Sequence, residues 1–521
     1  MNKLMLSAAA LMCGTIVFAQ TNQSTVNQTG NGNGSGVIQT GLTNNSDVLQ
    51  TGNENNSDVY QSGVSNDSDV DQLGDLNQFD VDQIGTSNDA DVYQEGIGNL
   101  GGGSELIWGT RQIGDNNYSY TKSFGEANNA GTSQEGDNNE AYINQTGNGN
   151  LANGINWGLR QTGDDNYFKT TQFGNDNTAI SAQTGDRNLG GDPIVLIWGI
   201  HQQGDQNTAS NIQTGNDNLS GTGQYGNLNR STISQIGNEN TANGISFGNY
   251  QVGDDNGAAI YQTGNLNDAQ NTQRGDSNDA TTNQNGNSNL SRTLQEGNQN
   301  TNTTDQEEVN NDSNVYQFGN SNTSAISQTG DTNKSDVDQI GDSNSASILQ
   351  VGMNNNSTLL QSGNSNESLV WQYGDTNTST VTQTVNGNVS LVRQGASFDV
   401  NTANSDNNSS TVTQSGNNNW QSTDQYTDLA GGSDNNNSNV NQEGDSNYSF
   451  NAQSGNDHNS DVDQLGDSNN SKAWQSGFEQ MSTVFQNGNF NESTVNQSGN
   501  NHASTVNQIG NSNISTVTQS N

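Results

Sequence analysis

Residues 44–63 read NNSDVLQTGNENNSDVYQSG, in which the second half repeats the first after eleven residues. The repeat extends in both directions. Gln recurs every eleven residues from Gln28 to Gln94, and again over 251–394 and 442–519. The usual unit is Asn-x-Ser/Ala-x-Val/Ile/Leu-x-Gln-x-Gly-x-x, and about 42 such units fit the chain. A random polar polymer does not keep phase in this way, so the repeat predicts an ordered architecture.

The spacing within one unit predicts its local structure. Ser24, Val26 and Gln28 are two residues apart, which is the period of a β-strand with these side chains on one face. The Gly and Asn that follow predict a turn, because Gly tolerates positive φ and Asn bonds to nearby backbone. Strand, turn, strand and turn make a coil of 22 residues. We therefore predict an all-β β-solenoid of about 21 coils with two facing parallel sheets, roughly 100 Å long.

The composition limits the function classes. The 521 residues are 26% hydrophobic, with 55 acidic against 12 basic side chains and a net charge of −43. These values are typical of disordered chains, but the repeat instead predicts a thin apolar row flanked by stacked Gln and Asn amides. The negative charge argues against binding nucleic acid, since phosphate backbones attract basic proteins. No window is apolar enough for membrane insertion after the N-terminal segment.

The first 19 residues differ from the remainder. Lys3 precedes an apolar run from Leu4 to Val17, and Ala19 ends a small-x-small pattern. This pattern predicts a secretory signal peptide over 1–19, cleaved near Ala19, and hence a secreted protein. Cys13, the only cysteine, lies inside it. Residues 20–521 are then predicted to form one solenoid without disulfides.

The eleven-residue phase is interrupted by insertions near 99–110, 150–159, 188–200, 240–249, 396–410 and 429–437. The first four end in an aromatic residue four positions before Gln, at Trp108, Trp157, Trp198 and Phe247. We expect these aromatic side chains in the inward position otherwise held by Ser or Ala. Two interpretations remain open: they form a ridge that docks a sugar or protein partner, or they fill the gap that each insertion leaves.

The spacing Gln28-x-Gly30-x-x-Asn33 and its many repeats resemble the curlin repeat of bacterial curli fibre subunits, over nearly all of residues 24–521. The resemblance implies a curli-like cross-β fold and an extracellular, cell-surface fibre for adhesion and biofilm matrix. It implies assembly with copies of itself, and association with other curlin-like subunits, a cell-surface nucleator or matrix polysaccharide. The side chains implied to stack and to template addition are Gln28, Asn33, Gln39, Asn44, Gln50, Gln61, Gln497, Gln508, Asn513 and Gln519.

Other functions have weaker sequence support. A monomeric solenoid adhesin using the aromatic insertions is the main alternative, and an ice-binding solenoid is a lesser one, because Thr pairs such as Thr411 and Thr413 occur in only a few units. No catalytic or cofactor motif stands out, so an enzyme is not expected.

Rows of outward carboxylates leave open weak Ca²⁺ binding, since a divalent ion relieves repulsion between stacked carboxylates. The pairs are Asp69 with Asp71, Asp80 with Asp82, Asp336 with Asp338, and Asp461 with Asp463. Solvated charge without a bound metal is the commoner explanation.

Overall fold

The chain folds as two parallel β-sheets that wind around one axis. The computed structural model describes residues 21–101, 109–152, 158–192, 197–242, 247–395, 406–426 and 433–521. These residues contain 49 strands and no helix. Strands of the first sheet (sheet A) alternate along the chain with strands of the second (sheet B), giving about 21 coils. The β-solenoid predicted from the repeat is confirmed.

The strands have the following bounds. Sheet A contains Gln23–Thr29, Asn45–Thr51, Asp67–Asp75, Asp89–Ile97, Tyr118–Glu126, Glu140–Thr146, Tyr167–Phe173, Leu189–Asp192, Ile197–Trp198, Ile200–Gln203, Leu219–Ser220, Thr222–Tyr225, Thr241–Ala242, Asn249–Val252, Asp268–Arg274, Leu290–Glu296, Asp312–Phe318, Lys334–Ile340, Asn356–Ser362, Thr378–Thr384, Ser409–Ser415, Asn437–Glu443, Asn459–Leu465, Met481–Asn487 and Ala503–Ile509. Sheet B contains Gly34–Leu42, Asn56–Val64, Val81–Thr86, Leu100–Gly101, Thr110–Asp115, Asn129–Ala130, Thr132–Glu135, Leu151–Ala152, Leu159–Thr162, Thr178–Thr184, Thr208–Thr214, Arg230–Ile236, Gly257–Thr263, Asp279–Asn287, Thr301–Val309, Thr323–Thr329, Ser345–Val351, Glu367–Tyr373, Val389–Gln394, Trp420–Gln425, Tyr448–Asn456, Asn470–Phe478, Glu492–Asn500 and Ile514–Ser520.

Strands stack in the register that the 22-residue coil requires. Gln28 pairs with Gln50 in sheet A, and Gln39 pairs with Gln61 in sheet B. Where the sequence carries an insertion, the spacing lengthens, as from Gln83 to Gln112, but identical side chains still pair. The strands on the two sides of an insertion therefore keep the same register with the neighbouring coil. One insertion opens with a short antiparallel pair, Gly191 with Trp198.

The core is a narrow row of small apolar side chains. Along most strands buried and outward residues alternate, so that in Asn45–Thr51 the residues Ser46, Val48 and Gln50 point inward. The inward Val, Ile or Leu of most coils is almost completely buried. Because this row is only one side chain deep from each sheet, 26% hydrophobic residues suffice to fill it.

The turn after each Gln uses two left-handed positions. Gly52 has φ of 123°, and a Cβ there would lie 1.9 Å from the carbonyl oxygen of Gly74 in the next coil. Gly meets both conditions without strain, as the repeat predicted, whereas Glu308 and Val385 hold the same position at φ of 75° and 77°. The residue before the turn Asn is also left-handed but is usually not Gly, as at Glu54 with φ of 55°. This second position was not predicted, because no single residue type marks it.

Candidate functional site

Stacked glutamines form two rows, one per sheet. The Gln50 side chain shows the usual bonds: Nε2 donates to Oε1 of Gln72 at 2.8 Å and to the carbonyl of Gly34 at 2.8 Å. In the same way Gln28 donates to Gln50 at 2.7 Å, and Gln497 donates to Gln519 at 2.8 Å. Both protons of an interior amide are therefore used. Each Gln-to-Gln bond within a row runs from the donor in one coil to the acceptor in the next coil toward the C-terminus.

The turn asparagines form two further rows with the opposite direction. The backbone N–H of Asn55 donates to Oδ1 of Asn33 at 3.0 Å, and Nδ2 of Asn55 donates to the carbonyl of Gly74 at 2.7 Å. Asn513 bonds in the same way to Oδ1 of Asn491. The Asn donors that reach another Asn thus point toward the N-terminal coil, while the Gln donors point away from it.

All ten side chains that the resemblance singled out lie in these rows. Gln28, Gln50 and Gln508 are in the Gln row of sheet A, and Gln39, Gln61, Gln497 and Gln519 are in that of sheet B. Asn33, Asn44 and Asn513 are in the Asn rows. In the first described coil Gln28 and Gln39 accept no bond from another described Gln, and in the last described coil Gln508 and Gln519 donate none to another described Gln.

Within the described ranges, four substitutions interrupt the rows. Ser123 replaces Gln, and its hydroxyl donates to Oε1 of Gln145 at 3.1 Å. His458, Gln480 and His502 replace Asn. His458 Nδ1 accepts the backbone N–H of Gln480 at 3.3 Å. Burial lowers the pKa of the His458 imidazole. The neutral ring therefore mimics the Asn oxygen, since its unprotonated nitrogen accepts the same bond.

The expected position of the aromatic insertion residues is wrong where the structure tests it. Phe247 does not fill the inward Ser/Ala position, which Ala242 holds in register with Ser220. The insertion leaves the strand after that position rather than before it. The Phe247 ring instead packs beside Gly223 and lies parallel to Tyr250, with ring centroids 5.9 Å apart.

The other three insertion aromatics are only partly located. Trp108 and Trp157 lie outside the described residues, as does the Trp198 side chain. The Trp198 backbone pairs with Gly191. Phe247 is buried, which fits a gap-filling role for this residue.

Two buried phenylalanines were missed from the sequence. Phe79 and Phe168 occupy the inward Ser/Ala position and are fully buried. In the next coil a Cβ on Gly101 would lie 2.2 Å from the Phe79 ring, and one on Gly190 would lie 1.9 Å from the Phe168 ring. The signal that could have found them is an aromatic residue two positions after the turn Asn, followed by Gly in the same position of the next coil.

Outward aromatic side chains also stack between coils, which the eleven-residue count did not reveal. On sheet A the ring of Tyr142 lies 5.5 Å from that of Tyr118 and 5.6 Å from that of Tyr167. On sheet B Trp420 stacks on Tyr448 at 4.4 Å. The residues of these three pairs are 24, 25 and 28 apart in the chain, so the 22-residue period by itself does not identify the contacts.

The carboxylate rows include one dense cluster on sheet A. Asp47, Asp69 and Asp91 are in register on three consecutive coils, beside Asp67 and Asp89. Burial, followed by repulsion from Asp neighbours, raises the pKa of Asp69 and of Asp89 to about 6. In the described part of the chain, no three or more His, Cys, Asp or Glu residues are grouped so as to hold a metal ion. Weak Ca²⁺ binding remains a prediction.

The expectation that Asp80 and Asp82 point into solvent is wrong. Both are buried, beside the coil that carries the first insertion. Asp80 accepts the backbone N–H of Asp58 at 2.9 Å, and Asp82 pairs with Arg111 at 3.5 Å. Burial nevertheless raises the pKa of Asp80 to about 6.

Two parallel sheets that wind around one axis, with rows of stacked Gln and Asn side chains, define the chain as a β-solenoid repeat protein. Six segments match the family model described as Curlin associated repeat: 52–85, 125–153, 310–341, 336–359, 358–384 and 482–510. These segments lie at both ends and in the middle of the chain, and they support assigning its repeats to the curlin type. A comparison with curated proteins finds no match. Within the described ranges, no helix has the length and apolar character needed to cross a membrane.

Proposed function

We propose that this chain is a secreted structural subunit that stacks end to end into curli-like amyloid fibres for cell adhesion and biofilm matrix. The observation that carries the proposal is that the two ends of the described solenoid are complementary. The first coil presents Oε1 of Gln28 and Gln39 without a Gln donor among the described residues. The last coil presents Nε2 of Gln508 and Gln519, each with one described acceptor.

The direction of the rows favours head-to-tail addition. If a second copy continues the 22-residue register, Gln508 donates to Gln28 of that copy, and the backbone N–H of its Asn33 donates to Oδ1 of Asn513. Two ends of the same kind would instead bring donor to donor and acceptor to acceptor. A heterologous contact of this type repeats without closing and therefore produces a filament.

The apolar side chains of the end coils support the same contact. Val26 is 44% exposed, whereas Val48, its partner in the next coil, is 2% exposed. The large hydrophobic side chains with the greatest exposure include Ile514 at 77% and Ile38 at 62%, in the last and first coils. Addition of a second copy would bury the row that ends at Val26, and would join exposed strand edges that are ready to pair.

The remaining surface supports growth at the ends rather than along the sides. The net charge of −43 is carried mainly by outward side chains, so parallel rods repel one another at low ionic strength. Secretion is proposed from the signal-like pattern of residues 1–19, and adhesion and biofilm roles are proposed from the curlin repeats. The proposal assigns no catalytic role.

Disulfide trapping tests the junction directly. In a Cys13→Ser background, Ile38→Cys and Thr518→Cys are combined in one chain. Continued register places these residues opposite each other on neighbouring strands, about 4.8 Å apart, within reach of a disulfide. Mild oxidation during assembly is expected to give a ladder of covalent multimers, with thioflavin binding and long filaments by electron microscopy.

Two controls separate register from chance contact. Thr25→Cys with Thr518→Cys places the thiols on different sheets and should give few multimers. Ile38→Cys alone reports head-to-head contact, which should not form. Uniform rods of about 100 Å that neither polymerise nor cross-link would overturn fibre assembly and favour a monomeric adhesin. Multimers from Ile38→Cys alone would overturn the head-to-tail geometry.

A further inference from the structure

A groove opens on the outer face of sheet B near the C-terminal end of the rod. It lies where Ala452 stands in register between Asp424 and Trp474. The small Ala side chain leaves a depression between larger neighbours, and Tyr426 borders it on the side of the preceding coil. The cavity has a volume of about 480 Å³. This is within the range of small-ligand sites.

One wall of the groove is a supported aromatic face. Trp474 is 38% exposed, and its ring lies 5.7 Å from that of Phe450, which packs beside it. An indole held in this way loses little side-chain freedom when a ligand stacks on it. The wall is therefore preorganised for a flat apolar surface.

The floor and far side of the groove are polar but uncharged. Ser454 and Ser476 contribute hydroxyl groups, and Asn496, in register with Trp474, contributes an amide. These groups both donate and accept hydrogen bonds. None of the residues that line the groove is ionisable at neutral pH. The nearby Asp424 carboxylate is paired with Arg393 at 2.9 Å.

We propose that this groove binds a neutral hexopyranose saccharide. The apolar C–H face of a pyranose ring would stack on Trp474, while its hydroxyl groups would bond to Ser454, Ser476 and Asn496. Charge selects against the acidic alternative, because a chain with a net charge of −43 repels a polyuronate. The site is separate from the aromatic insertions, and binding would not depend on fibre assembly.

The test uses the full chain in solution, with the neutral probes cellohexaose and maltohexaose and a hexamer of uronic acid as the charged probe. Quenching or shift of tryptophan fluorescence and affinity electrophoresis measure binding. At least one neutral hexamer is expected to bind, and the uronic acid hexamer is expected to bind at least tenfold more weakly. Trp474→Ala should weaken neutral binding at least tenfold, and Trp474→Phe should weaken it less.

Tyr261→Ala is the matched control, because Tyr261 is a similarly exposed aromatic residue at the equivalent strand position of sheet B. It should leave saccharide affinity unchanged, and circular dichroism should show that all variants keep the β-structure. The proposal is overturned if neither neutral hexamer binds, if the uronic acid hexamer binds equally well, or if Trp474→Ala binds within twofold of the unsubstituted chain. Filament formation is scored separately, so failure of saccharide binding is distinguishable from failure of assembly.

Discussion

The glutamine rows predict a large local effect of a single substitution, Gln350→Met. In the structure Nε2 of Gln350 donates to Oε1 of Gln372 at 2.8 Å and to the carbonyl of Lys334 at 2.9 Å. Its Oε1 accepts a bond from Gln328 at 2.9 Å. Met has nearly the same shape but replaces none of these bonds, so three buried polar groups lose a partner.

Each buried group left unpaired costs about 1–3 kcal/mol, which gives a loss of about 3–9 kcal/mol. The gain from burying a more apolar side chain offsets only about 1 kcal/mol of this. Because each coil of a repeat protein contacts mainly its neighbours, we expect the loss to appear locally rather than as unfolding of the entire rod.

Hydrogen exchange measured by mass spectrometry checks this prediction coil by coil. Peptides covering the strands of Gln328, Gln350 and Gln372 should exchange faster in the variant, while coils near either end should not change. Ser347→Ala, an outward change in the same strand as Gln350, should alter local stability by less than about 0.5 kcal/mol. If both variants protect the three strands equally, the rows do not stabilise the fold and the reasoning fails.

Three further predictions concern backbone strain and pH. Val385 holds the Gly position of its turn at φ of 77°, so Val385→Gly should raise the free energy of unfolding by about 1 kcal/mol; a lower midpoint in chemical denaturation would contradict this. The pKa of Asp69, about 6, lies above the unfolded value near 3.9, so the folded state binds this proton more tightly and gains stability as pH falls through about 6. Asp69→Asn should therefore stabilise the fold at pH 8 more than at pH 4, as measured by thermal denaturation at both values. The pKa of His458 is lowered in the folded state, so the unfolded state binds the proton first and the free energy of unfolding falls as the pH drops below about 6.5. His458→Asn should remove that part of the acid sensitivity. An unchanged dependence of stability on pH would refute this prediction.

The pattern of identical residues predicted most of the architecture. Gln50 could be placed over Gln72, and Val48 inside the coil, because the 22-residue period and the two-residue strand period act along the chain and require no knowledge of distant contacts. The rows of predicted polymerisation residues follow from the same arithmetic. The bond directions do not, since they depend on how each amide is oriented against its neighbours.

Features that break the repeat were predicted less well. Phe247 was assigned to the inward position by counting back from Gln, but the count cannot tell on which side of that position an insertion leaves the strand. Asp80 looks like other outward carboxylates in sequence, yet it is buried beside an insertion-bearing coil. The position of Phe247 and the burial of Asp80 both depend on the residues of the adjacent coil, which the repeat pattern does not specify.

The sequence by itself determined the coil, its two parallel sheets and the side chains that stack along the axis, because each of these repeats a local rule at constant spacing. Only the tertiary structure decided the partners that differ from coil to coil: glycines opposite Phe79, the aromatic stacks of the outer faces and the groove beside Trp474. The physical reason is that neighbours in the rod are about 4.8 Å apart in space but 22 or more residues apart in the chain.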